Sequence, residues 1–228
     1  MPLPPSERHP GLGAARLYFV CEARPHGAAP GPLLGAALEG GAGMLELREE
    51  SSGDDAWLID AARPFREACA VAAVPFILND RPDLVEECDA DGVHVGQDDI
   101  PVADARESLG ADYLIGLSTH SPEQIEAACS APPQARPDYI SVGPVWETPT
   151  KEGRPATGLE LIEHAASEAT LPWFAIGGID TSNVGEVVAA GAERIVVVRA
   201  LRDAGDPAAA ARTLRDALEA GREAWSDG

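Results

Sequence analysis

The chain has 228 residues, enough for one domain with a full hydrophobic core. Its 38 acidic and 17 basic residues leave a formal net charge of −21, which excludes the broad basic surface that nucleic acid or anionic lipid requires. Any anionic ligand has to be small, and held in a pocket whose local field opposes the global one.

Residues 1–13 are proline-rich, lack the apolar centre of a signal peptide and read as a loose N-terminal arm. No apolar run approaches the length of a membrane span. Residues 14–228 read as a single domain of a cytoplasmic protein; the composition is compatible with a homo-oligomer. Cys21, Cys69, Cys88 and Cys129 have neither CxxC nor Cys/His ligand spacing, and read as reduced, mostly buried thiols.

Apolar runs predict strands at Arg16–Cys21, Met44–Arg48, Val74–Leu78, Gly92–Val95, Tyr113–Leu117, Tyr139–Val142, Trp173–Ile176 and Arg194–Val198. Between them the pattern turns helical. Pro32–Glu39 forms a short helix closed by Gly40-Gly41, and a long one covers 54–73 with Trp57, Ala61, Phe65, Ala68 and Cys69 on its apolar face and Pro64 as a kink site. Pro82 and Pro101 suit first helical turns, and Ser121-Pro122-Glu123-Gln124 has the spacing of a capping box. Further helices are expected over 158–169, 181–190 and 207–224. Short, continuously apolar strands suit a parallel sheet covered on both faces. Eight strand–helix units in this length predict an α/β fold, the closed (β/α)8 TIM barrel, with an open doubly wound sheet as the alternative.

A closed barrel gathers the C-terminal ends of its strands at one mouth. Those ends read Glu46/Arg48, Asn79/Asp80, Asp99, Ser118/His120, Thr148/Thr150/Lys151, Gly177/Gly178 and Val198/Arg199. The loop from Gly143 to Lys151 offers two hydroxyls, backbone N–H groups and one ammonium, a donor set for phosphate oxygens. A polar surface loop is the plain alternative. Against it, Lys151 is the one lysine beside sixteen arginines, which points to a local need for a compact point charge. Asp80 and Asp99 fall on adjacent strands; each alone also fits a helix N-cap, but as a pair with open positions between them they suit Mg²⁺. Gly177-Gly178 allows close backbone approach and, with the amides after strand eight, forms a phosphate-monoester site. Two anionic sites imply two phosphorylated small-molecule reactants.

With these pieces in place, the chain resembles the thiamine-phosphate synthases over nearly the whole barrel. The matching segments are Leu78-Asn79-Asp80-Arg81, Asp91 to Asp99, Gly116 to His120, Gly143 to Lys151, and Ala175-Ile176-Gly177-Gly178-Ile179. The resemblance implies a transferase that joins hydroxymethylpyrimidine diphosphate to hydroxyethylthiazole phosphate, giving thiamine phosphate and pyrophosphate. It also implies Asp80 and Asp99 as Mg²⁺ ligands, and Arg48, Asn79, Ser118 and Lys151 around the pyrimidine diphosphate. Thr148, Thr150 and the amides near Gly178, Val198 and Arg199 would meet the thiazole phosphate. Arg48, Ser118 and Lys151 would neutralise the leaving pyrophosphate, with His94 and His120 in supporting roles.

The second strand departs from the family. Its Gln-x-Arg-x-Lys stands here as Glu46-Leu47-Arg48-Glu49-Glu50, which keeps the arginine and makes both flanking positions acidic. Glu46 can still accept a hydrogen bond from the substrate amino group. Glu50 replaces a cation near the diphosphate, and Arg199, Arg81 and Arg154 are candidates to compensate. Two other readings stay open: a same-fold thiazole phosphate tautomerase using His120 as acid/base, and a noncatalytic barrel that binds a phosphorylated ligand.

Overall fold

The computed structural model describes residues 10–49, 54–147 and 155–226. Eight parallel strands, β1 Leu17–Cys21, β2 Met44–Leu47, β3 Phe76–Asn79, β4 Gly92–Val95, β5 Leu114–Thr119, β6 Tyr139–Val142, β7 Trp173–Ile176 and β8 Ile195–Val197, pair in chain order. β8 closes on β1 through Leu17↔Ile195 and Phe19↔Val197. The closed barrel expected from the strand count is therefore the fold, and the open sheet is set aside.

Side chains alternate along each strand. Leu17, Phe19 and Cys21 of β1 and Leu45 and Leu47 of β2 pack outward into the core shared with the helices. Tyr18 and Met44 point inward with Ile77, Leu114, Tyr139, Phe174 and Val196, and fill the barrel. One step further along the strands the interior becomes polar, because Glu46, His94, Ser118 and Ser141 take the next inward positions, all buried.

The helices around the barrel are α1 Pro10–Ala14, α2 Gly31–Glu39, α3 Asp55–Ala72, α4 Val102–Leu109, α5 Pro122–Ser130, α6 Glu160–Glu168, α7 Val184–Ala189, α8 Arg199–Arg202 and α9 Pro207–Ser226. Several depart from the sequence-based expectation. Residues 10–13 belong to α1, not to a loose arm, and Leu12 is fully buried under the barrel interior; residues 1–9 lie outside the described ones. In α3 the buried face keeps Phe65 and Cys69 from the expected set but completes it with Leu58 and Ala62 in place of Trp57 and Ala61, so that Trp57 is exposed. Pro64 sits inside α3 as a single continuous helix. After β3 only a 3-10 turn, Pro82–Leu84, forms in place of a full helix. The short α8 after β8 was not anticipated.

Two acids, Asp138 buried and Asp91 half-buried, tie strands to helices by the same device. Asp91, just before β4, accepts from the Phe76 amide at 2.8 Å and pairs with Arg66 of α3 at 3.0 Å. Asp138, just before β6, accepts from the Ile115 amide at 2.8 Å and pairs with Arg106 of α4 at 2.5 Å. In each case a carboxylate satisfies an amide of an earlier strand and a helix arginine neutralises it.

Candidate active site

A cavity of about 240 Å³ opens at the C-terminal ends of the strands. Its walls include Glu46 and Arg48 from the end of β2, Asn79 from β3, His94 from β4, Ser118 and His120 from β5, and Ser141 from β6. Gly177 and Gly178 after β7, and Val198 and Arg199 after β8, complete it. The structure thus brings together nine of the expected site positions, Glu46, Arg48, Asn79, Ser118, Gly177, Gly178, Val198 and Arg199 with His120 beside them, as lining of one space. Glu50, Thr148, Thr150, Lys151 and Arg154 lie outside the described residues.

A polar network forms the floor. Tyr18 donates to Glu46 Oε2 in a very short hydrogen bond, and its hydroxyl is 3.3 Å from that of Tyr139. The Tyr139 hydroxyl is 3.2 Å from His94 Nδ1. His94 Nε2 lies 3.0 Å from Ser118 Oγ and 3.4 Å from Ser141 Oγ. Burial, reinforced by the Glu46 carboxylate, pushes both phenols well above the usual tyrosine range, so both hold their protons. The rings of Tyr18, Tyr139 and Phe174 pack edge-on to one another with centroids 5.6 to 6.1 Å apart. Gly116 makes this possible: a β-carbon there would fall 2.2 Å from Tyr139 Cζ and 2.4 Å from His94 Nδ1.

On the β3–β4 side, Asp80 adopts a left-handed backbone (φ 56°), which aspartate tolerates better than most residues. Its amide donates to the His94 carbonyl at 2.9 Å, and its Oδ2 accepts from Asn79 Nδ2 at 2.5 Å. Asp99 Oδ2 accepts from the Gly96 amide at 2.8 Å. Neither Asp belongs to the cavity lining; both are exposed on loops just beyond strands that do. Among the described residues no three His, Cys, Asp or Glu side chains group as a metal site. Two carboxylates make no protein cage. Such a pair is a donor set for a hard cation only where water and the oxygens of a ligand complete the shell.

Across the cavity the loop after β6 is anchored on both sides of residues 148–154. The Val145 and Trp146 amides donate to the carbonyls of Ile176 and Gly177, and the Thr157 and Gly158 amides donate back to Pro144 and Val145. Gly177 is required by this packing, since a β-carbon would meet Pro144 Cα at 2.5 Å. Gly178 takes φ 69° beside Trp146. Asp180, absent from the sequence-based list, also lines the cavity. Its Oδ1 accepts from the Ser182 amide and hydroxyl while Asn183 Nδ2 donates to the Gly178 carbonyl, which rigidifies the turn. The Ser182 hydroxyl, with backbone amides and the nearby Arg199 charge, lowers the Asp180 pKa. His120 Nδ1 lies 2.5 Å from the Gly143 carbonyl and so donates to it.

Sequence signals for the missed residues existed only in part. Asp180, two residues before Ser182 and just ahead of a helix, has the spacing of a hydrogen-bonded Asx turn. Tyr18 and Ser141 could be placed inward by strand alternation once the strand ends were fixed, but nothing local reveals their partners.

Fold and cavity define a (β/α)8 barrel with a polar-floored cavity at the C-terminal mouth, where enzymes of this fold place their chemistry. Residues 17–201 match the family model described as thiamine monophosphate synthase. A thiamine-phosphate synthase of Acidothermus cellulolyticus is 45% identical over 212 residues, 92% of this chain and 97% of that one. One from Nostoc punctiforme is 46% identical over 204 residues; the match takes in 88% of this chain but 55% of that longer protein. Among solved structures, thiamine phosphate pyrophosphorylase from Pyrococcus furiosus superposes with a TM-score of 0.81 at 28% identity, covering 92% of this chain and 98% of that one. The chain belongs to the thiamine monophosphate synthase family.

Proposed function

We propose that the chain condenses hydroxymethylpyrimidine diphosphate with hydroxyethylthiazole phosphate, forming thiamine phosphate and releasing pyrophosphate. One observation carries this reading for a member of the family. Arg48, Asn79 and Ser118, the residues a diphosphate needs, face the same cavity as the Gly177-Gly178 and Val198-Arg199 turns suited to a phosphate monoester. Neither the tautomerase nor the noncatalytic barrel calls for the first of these groups.

In the proposed reaction the carbon–oxygen bond between the pyrimidine methylene and the diphosphate breaks, the pyrophosphate departs with the bonding electrons, and the thiazole nitrogen closes a carbon–nitrogen bond to the cationic carbon. Arg48 and Lys151 offset charge building on the leaving oxygens, and Ser118 lies within the same wall. Asp80 and Asp99 would hold Mg²⁺, which when bound neutralises the diphosphate. The enclosing walls hold nucleophile and electrophile in line and keep water from the cation. Glu46 at the floor orients the pyrimidine through its amino group. Arg199 supplies a cation at the mouth.

The test is incubation of the protein with both phosphorylated halves and Mg²⁺, following pyrophosphate and thiamine phosphate together. Asp80→Asn and Asp99→Asn should each lower turnover by at least about a hundredfold while leaving the thermal melt unchanged. Turnover without both halves, or two unaffected variants, would overturn the assignment.

A further inference from the structure

The hydrogen bonds under the cavity line up as one relay anchored on the Glu46 carboxylate. Tyr18 spends its single proton on that carboxylate, so toward Tyr139, 3.3 Å away, it can only accept. In this relay Tyr139 turns its own proton to Tyr18 and accepts from the group 3.2 Å away on its other side, His94 Nδ1. The relay places the imidazole proton on that nitrogen; the opposite tautomer would leave the contact between the two phenols without a proton. In the neutral ring Nε2 is then an acceptor, and Ser118 Oγ, 3.0 Å away, donates to it. The chain runs from Ser118 through His94, Tyr139 and Tyr18 to Glu46, and all five side chains are buried.

We infer that Tyr18, Tyr139 and His94 are positioning residues that fix the hydrogen-bond direction of Ser118, and that Ser141 is the donor that replaces it when an anionic ligand claims its proton. Ser141 Oγ stands 3.4 Å from His94 Nε2 and 3.4 Å from Ser118 Oγ. It is placed to take over the histidine acceptor as Ser118 turns. With it, Ser118 can serve a diphosphate oxygen while His94 Nε2 keeps a serine donor, and losing a donor at a buried acceptor is costly. Charge at position 46 thus reaches Ser118 through three side chains on three other strands. The Ser141 role rests on the proposed diphosphate site; the direction of the chain does not.

The decisive measurement is nitrogen NMR on the full-length protein with isotope-labelled histidine, whose ring-nitrogen shifts distinguish the two tautomers. The His94 signal is identified by its loss in His94→Gln. Without ligand, His94 should carry its proton on Nδ1, and Tyr139→Phe, which removes the acceptor, should move it to Nε2. A wild-type proton on Nε2 overturns the chain, as does an unchanged tautomer in Tyr139→Phe. Adding pyrophosphate with Mg²⁺ should leave the wild-type tautomer in place, and Ser141→Ala should bind pyrophosphate about tenfold more weakly. Equal affinity removes Ser141 from the scheme. If pyrophosphate fails to bind the wild type, the diphosphate site and the Ser141 role fall together, whereas the tautomer result still stands or falls by itself.

Discussion

Gly116 shows how one missing methyl supports a whole layer of side chains. Tyr139 and His94 meet in the space its β-carbon would occupy, with their ring centroids 5.5 Å apart. Gly116→Ala should push these rings apart and cost about 1–3 kcal/mol of stability, the usual result of overpacking. Chemical denaturation of the variant checks the cost, and the same change should reduce turnover because the floor loses its register. Of the cavity lining, Arg48, Asn79, Ser118 and the paired glycines were legible from sequence, since they sit where apolar runs end. The floor was not. Tyr139 and His94 lie 45 residues apart in the chain, and only the closed barrel, with Gly116 between their strands, puts one on the other.

Between strands and helices, the acids that precede β4 and β6 do what a local motif cannot. Asp138 has a side chain 1% exposed and Arg106 one that is 12% exposed, so removing one partner strands the other in a poorly solvated place. Asp138→Ala should cost about 3–5 kcal/mol, visible as a large fall in the urea midpoint, whereas the more exposed pair of Arg66 and Asp91 should cost less. Strand positions were read well because each strand is a short apolar run between turn residues. Helix faces were read less well. In α3 the bulk of Trp57 suggests that 57 and 61 continue the stripe of Phe65 and Cys69, but Leu58 and Ala62 are the residues buried with that pair. After β3, Pro82 is as suitable for a 3-10 turn as for a helix, and the left-handed backbone at Asp89 ends the run of turns that follows it.

For the molecule as a whole, a net charge of −21 works against substrates that are themselves anions. Arg48 and Arg199 set two positive charges against Glu46 and Asp180 in the cavity lining, so the site is far less negative than the molecule around it. Salt should therefore help: raising ionic strength from about 10 to 150 mM shortens the Debye length from about 30 to 8 Å, and kcat/KM should rise about two- to threefold before site contacts are screened in turn. A monotonic fall from the lowest salt would mean that the local field at the mouth governs encounter. The barrel itself was legible because its eight units repeat. The helix that seals its base was not, since five residues containing two glycines and a proline carry little helical pattern.

That seal makes the barrel a cul-de-sac. Leu12 and the aromatic layer above it block the N-terminal end, so reactants queue at a single door, and whatever lies deepest goes in first and comes out last. Glu46 and Ser118 are 3% and 6% exposed, whereas Arg199 stands in the open. The pyrimidine diphosphate should accordingly bind before the thiazole phosphate, and thiamine phosphate, which keeps the deep ring, should leave after pyrophosphate. In product-inhibition kinetics, thiamine phosphate should compete with the pyrimidine diphosphate but not with the thiazole phosphate; competition with the thiazole phosphate alone would mean that the queue runs the other way.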